Sequence, residues 1–210
     1  VNSVVNIALR KLINALMANK WSRLLVLASA AGLAGAASLT ALKPTANATT
    51  GSQITSGGYT LTGRVVRVAD GDTFTLLVDG KQQKVRMASI DAPETTKGSK
   101  QPGQAHAQAA KDALAALIAG KTLSINCFER DRYDRNVCDV PLGNGVTANQ
   151  KQVAAGLAWA NMEGRGKFMR DPKIPPLERQ AKDAKKGIWS QPGAVSPWAW
   201  RYQCWKQQQC

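Results

Sequence analysis

The order of sequence elements predicts an α+β fold: a five-stranded antiparallel β-barrel carrying about three helices. Two observations lead there. Five short strand-like runs fall in groups of three and two, and helix signals are confined to the segments between and after them. A third observation is turn chemistry, since Asp79-Gly80 separates the second and third runs and favours a tight hairpin.

Taken in order, the strand-like runs cover about 59–69, 73–78 and 83–90, and residues 94–103 form a polar loop with Gly and Pro. Gln104 to Ile118 is a helix, with Ala109, Ala110, Leu114 and Leu117 at core spacing and Gly120 as its stop. Two further strands, about 121–128 and 136–142, flank the charged connection E-R-D-R-Y-D-R. Short helices near 149–156 and 176–186 follow; Pro176 suits the first turn of the second and Gly187 its end. Three strands, a helix, two strands and then helices match a barrel of the OB type. There is no internal repeat.

The chain has 210 residues, 44% apolar and 20% charged, the balance of a globular protein with a proper core. Lys and Arg outnumber Asp and Glu by 28 to 14, and a net charge of +14 points to polyanionic partners. The single histidine, His106, excludes a His-rich metal centre; at a polar helix position it reads as a surface residue. The four cysteines are separated by 10, 65 and 5 residues, none of them the short spacing of a structural zinc site.

Residues 1–48 carry five cations and no acid, followed within them by an uncharged Ala/Leu/Gly-rich run from Leu24 to Leu42. Ala46-Asn47-Ala48 then supplies a small–x–small cleavage pattern, so this segment is expected to be a signal peptide. The alternative is a retained anchor through 24–42, the chain's one route to a membrane. Met17 is the expected translation start, giving M-A-N-K-W-S-R before the apolar run; an amphipathic extension over 1–16 is the other reading. Residues 49–58 form a linker, 59–190 the barrel domain and 191–210 a Trp/Cys-containing tail. Removal of 1–48 leaves a net charge of +9, so the folded domain is basic in its own right. The expected destination is secretion, the periplasm or the cell envelope, where disulfides persist.

Three stretches carry the chemistry: A-D-G-D-T (69–73), V-R-M-A-S-I-D-A-P-E-T (85–95) and D-R-Y-D-R (131–135). Asp72 and Asp91 offer two carboxylates of the kind a hard cation such as Ca²⁺ demands. Pro93 keeps Ala92 out of the α region, which frees the Ala92 backbone carbonyl as a third ligand. An EF-hand is excluded, because position 12 counted from Asp70 is Lys81 and from Asp72 is Gln83. Glu94 is the natural group to orient or deprotonate a water. Arg86 and Arg135 provide planar forks for phosphate oxygens, and Tyr133 faces the same side as Arg135 if the segment is extended. Gly120-Lys121-Thr122 is no phosphate loop, since position 115 is Ala.

In their order and spacing these motifs, continued by G-L-A (156–158) and G-I-W-S (187–190), resemble the staphylococcal nuclease (thermonuclease) family over about 60–190. The resemblance implies a five-stranded OB barrel with three helices and Ca²⁺-dependent hydrolysis of DNA and RNA that leaves 3′-phosphate ends. Position by position it implies Asp72, Asp91 and the Ala92 carbonyl as calcium ligands and Glu94 as the water-activating acid. Arg86 and Arg135 match the phosphate-binding arginines, and Tyr133 matches a tyrosine that hydrogen-bonds a substrate phosphate. Two departures stand out: Ala92 replaces a Thr, and Met162 and Gly164 fall where base-stacking tyrosines are expected. DNA and RNA are thus the expected partners, with no stable protein partner and a monomeric chain. A non-catalytic nucleic-acid-binding module is the alternative reading, one that leaves Glu94 without a task.

Cys127 and Cys138 lie on consecutive strands, nearly equidistant from the centre of the connecting loop, a register that permits a disulfide. Cys204 and Cys210 would then close a small ring in the tail; the two other connectivities and free thiols are the alternatives. Trp198, Trp200, Tyr202 and Trp205, interleaved with Arg201 and Lys206, are expected to pack the tail onto the barrel, with base stacking as the second reading. The run Lys182–Lys186 reads as a solvated helix face.

Overall fold

Strand β1 (Tyr59–Val68) is ten residues long and pairs along both edges, with β2 (Thr73–Val78) on one side and β5 (Thr122–Arg130) on the other. The computed structural model describes residues 58–210, so the expectations for the leader and for nearly all of the linker lie outside the described residues. β2 returns into β3 (Lys81–Met87) through Asp79 and Gly80, both at positive φ (48° and 74°), as a two-residue hairpin requires. β5 pairs in turn with β6 (Asn136–Asp139), and β6 with β3, closing the barrel in the order β1-β2-β3-β6-β5. Five strands and an OB-type barrel therefore stand as expected.

The antiparallel expectation needs one correction. A closed ring with an odd number of strands cannot alternate direction throughout, so one pair must run parallel. That pair is β3 and β6, with Val85 opposite Asn136 and Met87 opposite Cys138. Short additional pairs join β4 (Ile90–Asp91) to β9 (Trp159–Ala160) and β7 (Pro141–Gly143) to β8 (Val146–Thr147).

The helix count is also higher than three: five α-helical segments are present among the described residues, two of them single turns. Helix α1 (Ala107–Ile118) begins three residues later than expected and buries Ala107, Ala110, Leu114 and Ile118. Its core face is thus shifted from the expected one: Ala109 is exposed and Leu117 half-buried. His106 takes the position before the first turn in a left-handed conformation (φ 64°). Helix α2 (Ala148–Ala154) starts with a capping box, in which the Gln150 N–H donates to Thr147 Oγ1 and the Thr147 N–H to Gln150 Oε1. α3 (Glu163–Gly166) is one turn with left-handed residues inside it. α4 (Ile174–Asp183) has Pro175 in its first turn and ends before Gly187, which instead opens a 3₁₀ turn (Gly187–Trp189). α5 (Pro197–Trp200) runs on into a π-helical stretch over Arg201–Lys206.

The barrel is filled by Val65, Phe74, Leu76, Val85, Met87 and Ile125, and α1 covers one opening with Leu114 and Ile118. Both disulfides form as expected, Cys127–Cys138 across β5 and β6 and Cys204–Cys210 in the tail. The two glycine motifs explain each other. Gly156 and Gly187, both at positive φ, meet so closely that a Cβ on either would strike the other's backbone or that of Lys186, and the Ile188 N–H donates to Gly156 O at 2.9 Å.

Candidate active site

The D-G-D loop between β1 and β2, strand β3, strand β4 and the C-terminal tail converge on one cluster of charges. Gly71 is what lets the loop sit close: a Cβ there would overlap the side chains of both Ala110 on α1 and Ala92. Buried Gln152 on α2 fastens the loop by donating to Gly71 O at 2.6 Å and Ala110 O at 2.8 Å. Asp72, the last loop residue, is buried, and its backbone carbonyl accepts from Met87 N–H at 2.8 Å. Each carboxylate oxygen has partners: Oδ1 accepts from Thr73 Oγ1 at 2.9 Å and pairs with Arg86, while Oδ2 accepts from Ala92 N–H at 2.6 Å.

Arg86 projects from β3 between two buried carboxylates. One of its nitrogens pairs with Asp72, and the other donates to Asp91 Oδ1 at 2.6 Å and Ile90 O at 3.3 Å. Burial alone would raise the Asp72 carboxyl, but Arg86, Asp70 and the Ala92 N–H hold it below the usual carboxylate range. Burial likewise disfavours the Arg86 charge, and the facing carboxylates Asp72, Asp91 and Asp70 more than reverse this, so the guanidinium stays charged. Asp70 behaves differently. Burial, then repulsion from Asp72, pushes its carboxyl up to about 7.

Glu94 lies three residues past Asp91 and is 8% exposed. Its Oε2 accepts from Lys97 Nζ at 2.8 Å and its Oε1 from Arg201 Nη1 at 2.7 Å. Arg201 also donates to both oxygens of Asp91, at 3.2 and 2.9 Å. The network thus runs unbroken from Asp72 through Arg86, Asp91 and Arg201 to Glu94 and Lys97. Beside it opens a cleft of about 660 Å³, bordered by Arg67, Asp70, Lys97, Gln104 and Lys111.

Tyr133 and Arg135 form a second group, on the β5–β6 connection. They lie on a turn rather than in an extended segment, because Asp131 gathers the chain: its Oδ1 accepts the N–H groups of Tyr133 (2.9 Å) and Arg135 (3.0 Å). The Arg135 guanidinium pairs with Asp131 Oδ2 and sits 5.4 Å from the Tyr133 ring centre, so the two side chains are still neighbours. Burial would raise the Asp131 carboxyl, but Arg135 and those N–H groups hold it low. Arg135 immediately precedes the parallel pairing of β6 with β3, which carries Arg86. Among the described residues no hydrogen bond ties Tyr133 or Arg135 to the carboxylate cluster. Tyr133 is 60% exposed.

Asp72 and Asp91 are a hard, all-oxygen donor pair brought to one guanidinium, and Ala92 lies outside helix and strand. This chemistry fits Ca²⁺ and does not fit a soft metal. Among the described residues no group of three or more His, Cys, Asp or Glu is gathered for a metal. Arg201, Lys97 and Gln152 lie outside the three sequence motifs. The aromatic-basic tail was the one signal pointing at Arg201.

A closed five-stranded barrel with α1 across one opening and a carboxylate–arginine cluster on its β1–β2 loop and β3–β4 edge defines the class of OB-type fold expected from sequence. A family profile described as staphylococcal nuclease homologue matches residues 84–191. The chain is 38% identical over 140 residues to a protein named an uncharacterized endonuclease from Escherichia coli O157:H7, covering 67% of this chain and 84% of that protein. It is 37% identical over 147 residues to a micrococcal nuclease from Shigella flexneri, covering 66% and 79%. With a thermonuclease from Staphylococcus hyicus it shares 37% over 129 residues, covering 60% and 75%. The chain belongs to the staphylococcal nuclease homologue family.

Proposed function

We propose that the protein is an exported, Ca²⁺-dependent nuclease that hydrolyses phosphodiester bonds of DNA and RNA with little sequence specificity, leaving 3′-phosphate ends. The observation that carries this reading is the convergence of Asp72, Arg86, Asp91 and Glu94 in one hydrogen-bonded network. Asp72, Asp91 and the Ala92 carbonyl are the residues that would hold Ca²⁺. When bound, the ion supplies Lewis-acid polarisation of a phosphate oxygen.

Glu94 takes the proton of the attacking water, a task for which His106, at the start of α1, is not placed in the network. Arg86 and Arg135 bind the non-bridging phosphate oxygens and stabilise the charge that grows on them as the water oxygen bonds to phosphorus and the P–O5′ bond breaks, the 5′-oxygen taking a proton from solvent. Tyr133 hydrogen-bonds a substrate phosphate. Arg67, Lys97 and Lys111 around the adjoining cleft add attraction for the polyanion that does not depend on sequence. Relatives named endonuclease, micrococcal nuclease and thermonuclease support the hydrolytic reading. Export is supported by the cationic, apolar and small-residue pattern of residues 1–48 and by two disulfides.

The test is incubation of the purified chain with single-stranded DNA, duplex DNA and RNA in millimolar Ca²⁺, against a chelator control and a Glu94→Gln variant. Cleavage that needs Ca²⁺, falls sharply in the variant and leaves 3′-phosphates is the expected result. Tight, salt-sensitive binding without cleavage would replace the enzyme with a nucleic-acid-binding module.

A further inference from the structure

We propose that the C-terminal tail is part of the catalytic apparatus, and that Arg201 is a positioning residue which holds Glu94 and Asp91 for the reaction. The inference rests on the hydrolytic role of Glu94 given above. It extends that reading by some hundred residues of chain, to a segment no motif of the site contains.

Three independent attachments bring the tail to Glu94. Arg201 itself bridges Glu94 Oε1 and both oxygens of Asp91. Trp205 donates its indole N–H to Pro102 O at 2.9 Å and lays its ring under Lys97 Nζ, 4.9 Å from the ring centre, and Lys97 holds the other oxygen of Glu94. Gln104 accepts the Glu94 N–H at 3.0 Å through Oε1 and donates through Nε2 to Val195 O at 2.8 Å. One side chain thus ties the Glu94 backbone to the residues that precede the tail helix.

The tail is itself fastened. Trp200 donates to Pro102 O at 3.0 Å, beside Trp205, and Cys204 is fully buried and joined to Cys210. Two indoles on one carbonyl and a disulfide ring fix the helical turn that carries Arg201. The side chain is therefore delivered to the site by a rigid segment, which is what positioning a reactive carboxylate to a few tenths of an ångström requires.

Charge gives the proposal a signature that packing alone would not have. Arg201 places a cation on Asp91, one of the two carboxylates assigned to Ca²⁺. Its removal leaves the ligand more negative and should tighten Ca²⁺ binding about fivefold, while Glu94 loses the partner of one oxygen and turnover falls. Affinity for the ion and turnover then move in opposite directions.

The experiment uses the full chain and its Arg201→Ala and Arg201→Lys variants, with a single-stranded DNA oligonucleotide as substrate and saturating Ca²⁺. Expected for Arg201→Ala is a loss of about 10- to 100-fold in kcat with KM nearly unchanged, tighter Ca²⁺ binding by calorimetry, and partial recovery of kcat in Arg201→Lys. Unchanged or increased kcat would overturn the proposal. So would a joint fall of kcat, Ca²⁺ affinity and Tm with no benefit from Lys, the pattern of a structural residue. A double-mutant cycle of Arg201→Ala with Glu94→Gln, read in Tm, tests the contact without activity; additive effects overturn it. A wild-type chain that cuts nothing would instead overturn the nuclease reading, with the cycle still reporting on Arg201 and Glu94.

Discussion

Gln152 donates one amide hydrogen to the carbonyl of Gly71 at 2.6 Å, across 81 residues of sequence, and the other to Ala110 at 2.8 Å. A side chain that is 1% exposed therefore pins the loop of Asp72 to the helix covering the barrel. Gln152→Leu keeps the volume and removes both donors, leaving the Gly71 carbonyl without a partner and Ala110 with its helical bond alone. The expected cost is about 1–3 kcal/mol, visible as a lower Tm and urea midpoint. Turnover should fall as well, because Gly71 and Asp72 are adjacent. Unchanged stability would show that other contacts carry the loop.

Arg86 and Arg135 have been assigned the same chemistry, but their surroundings differ, and so should their variants. Arg86 is the partner of two buried carboxylates, Asp72 and Asp91. Arg86→Ala leaves buried Asp72 without its cation, while Asp91 keeps Arg201, and should cost about 3–5 kcal/mol of stability in addition to at least about 10²-fold in kcat. Arg135 pairs with Asp131 near the surface, on a turn already closed by backbone hydrogen bonds. Arg135→Ala should lose a similar factor in kcat with little change in Tm. Comparing thermal melts and single-turnover rates for the two variants checks both halves of this statement.

How much of this was legible in the sequence depended on the range of the interaction. The Asp79-Gly80 hairpin is local and follows from residue type and spacing, and the spacing of Cys127 and Cys138 permits the register that β5 and β6 adopt. The core face of α1 differs from the expected one because its alanines do not distinguish a face: Ala107, Ala109 and Ala110 look alike until tertiary packing chooses among them. The parallel β3–β6 pair is a property of closure, invisible strand by strand. Asp72, Arg86, Asp91 and Glu94 were found through their motifs. Arg201 carries no motif and meets its partners 107 and 110 residues away, so only the folded chain brings it into view.

The Cys127–Cys138 bridge closes the connection that bears Tyr133 and Arg135. With the cysteines 11 positions apart in sequence, the closed loop is short, and chain entropy sets the expected stabilisation at about 2–3 kcal/mol. The Cys127→Ser/Cys138→Ser double variant should be less stable by that free energy and, because the strand ends beside the turn loosen, bind substrate more weakly. The Cys204→Ser/Cys210→Ser variant should leave that turn alone and act on kcat through the tail. KM and kcat measured for both variants separate the two bridges. Identical profiles would mean that neither bridge acts on its own part of the site.

Asp139 supplies a pH dependence that lies away from the charge cluster. It follows buried Cys138 at the end of β6 and accepts from Asn149 Nδ2 at 3.1 Å. Burial, then the nearby Asp171 carboxylate, raises its carboxyl to about 6 from the model-compound value of 3.8. In the window between these values the folded protein holds a proton that the unfolded chain has released, so stability falls as pH rises from about 4 to about 6 and stays lowered above. Asp139→Asn keeps an oxygen for Asn149 and removes the ionisation. The variant should match the wild type near pH 3.5, gain on it steadily through pH 4–6, and remain more stable by about 1–3 kcal/mol at pH 7. Urea unfolding across that range measures the difference directly; a gap that is constant with pH would assign the gain to packing and not to the carboxyl's charge.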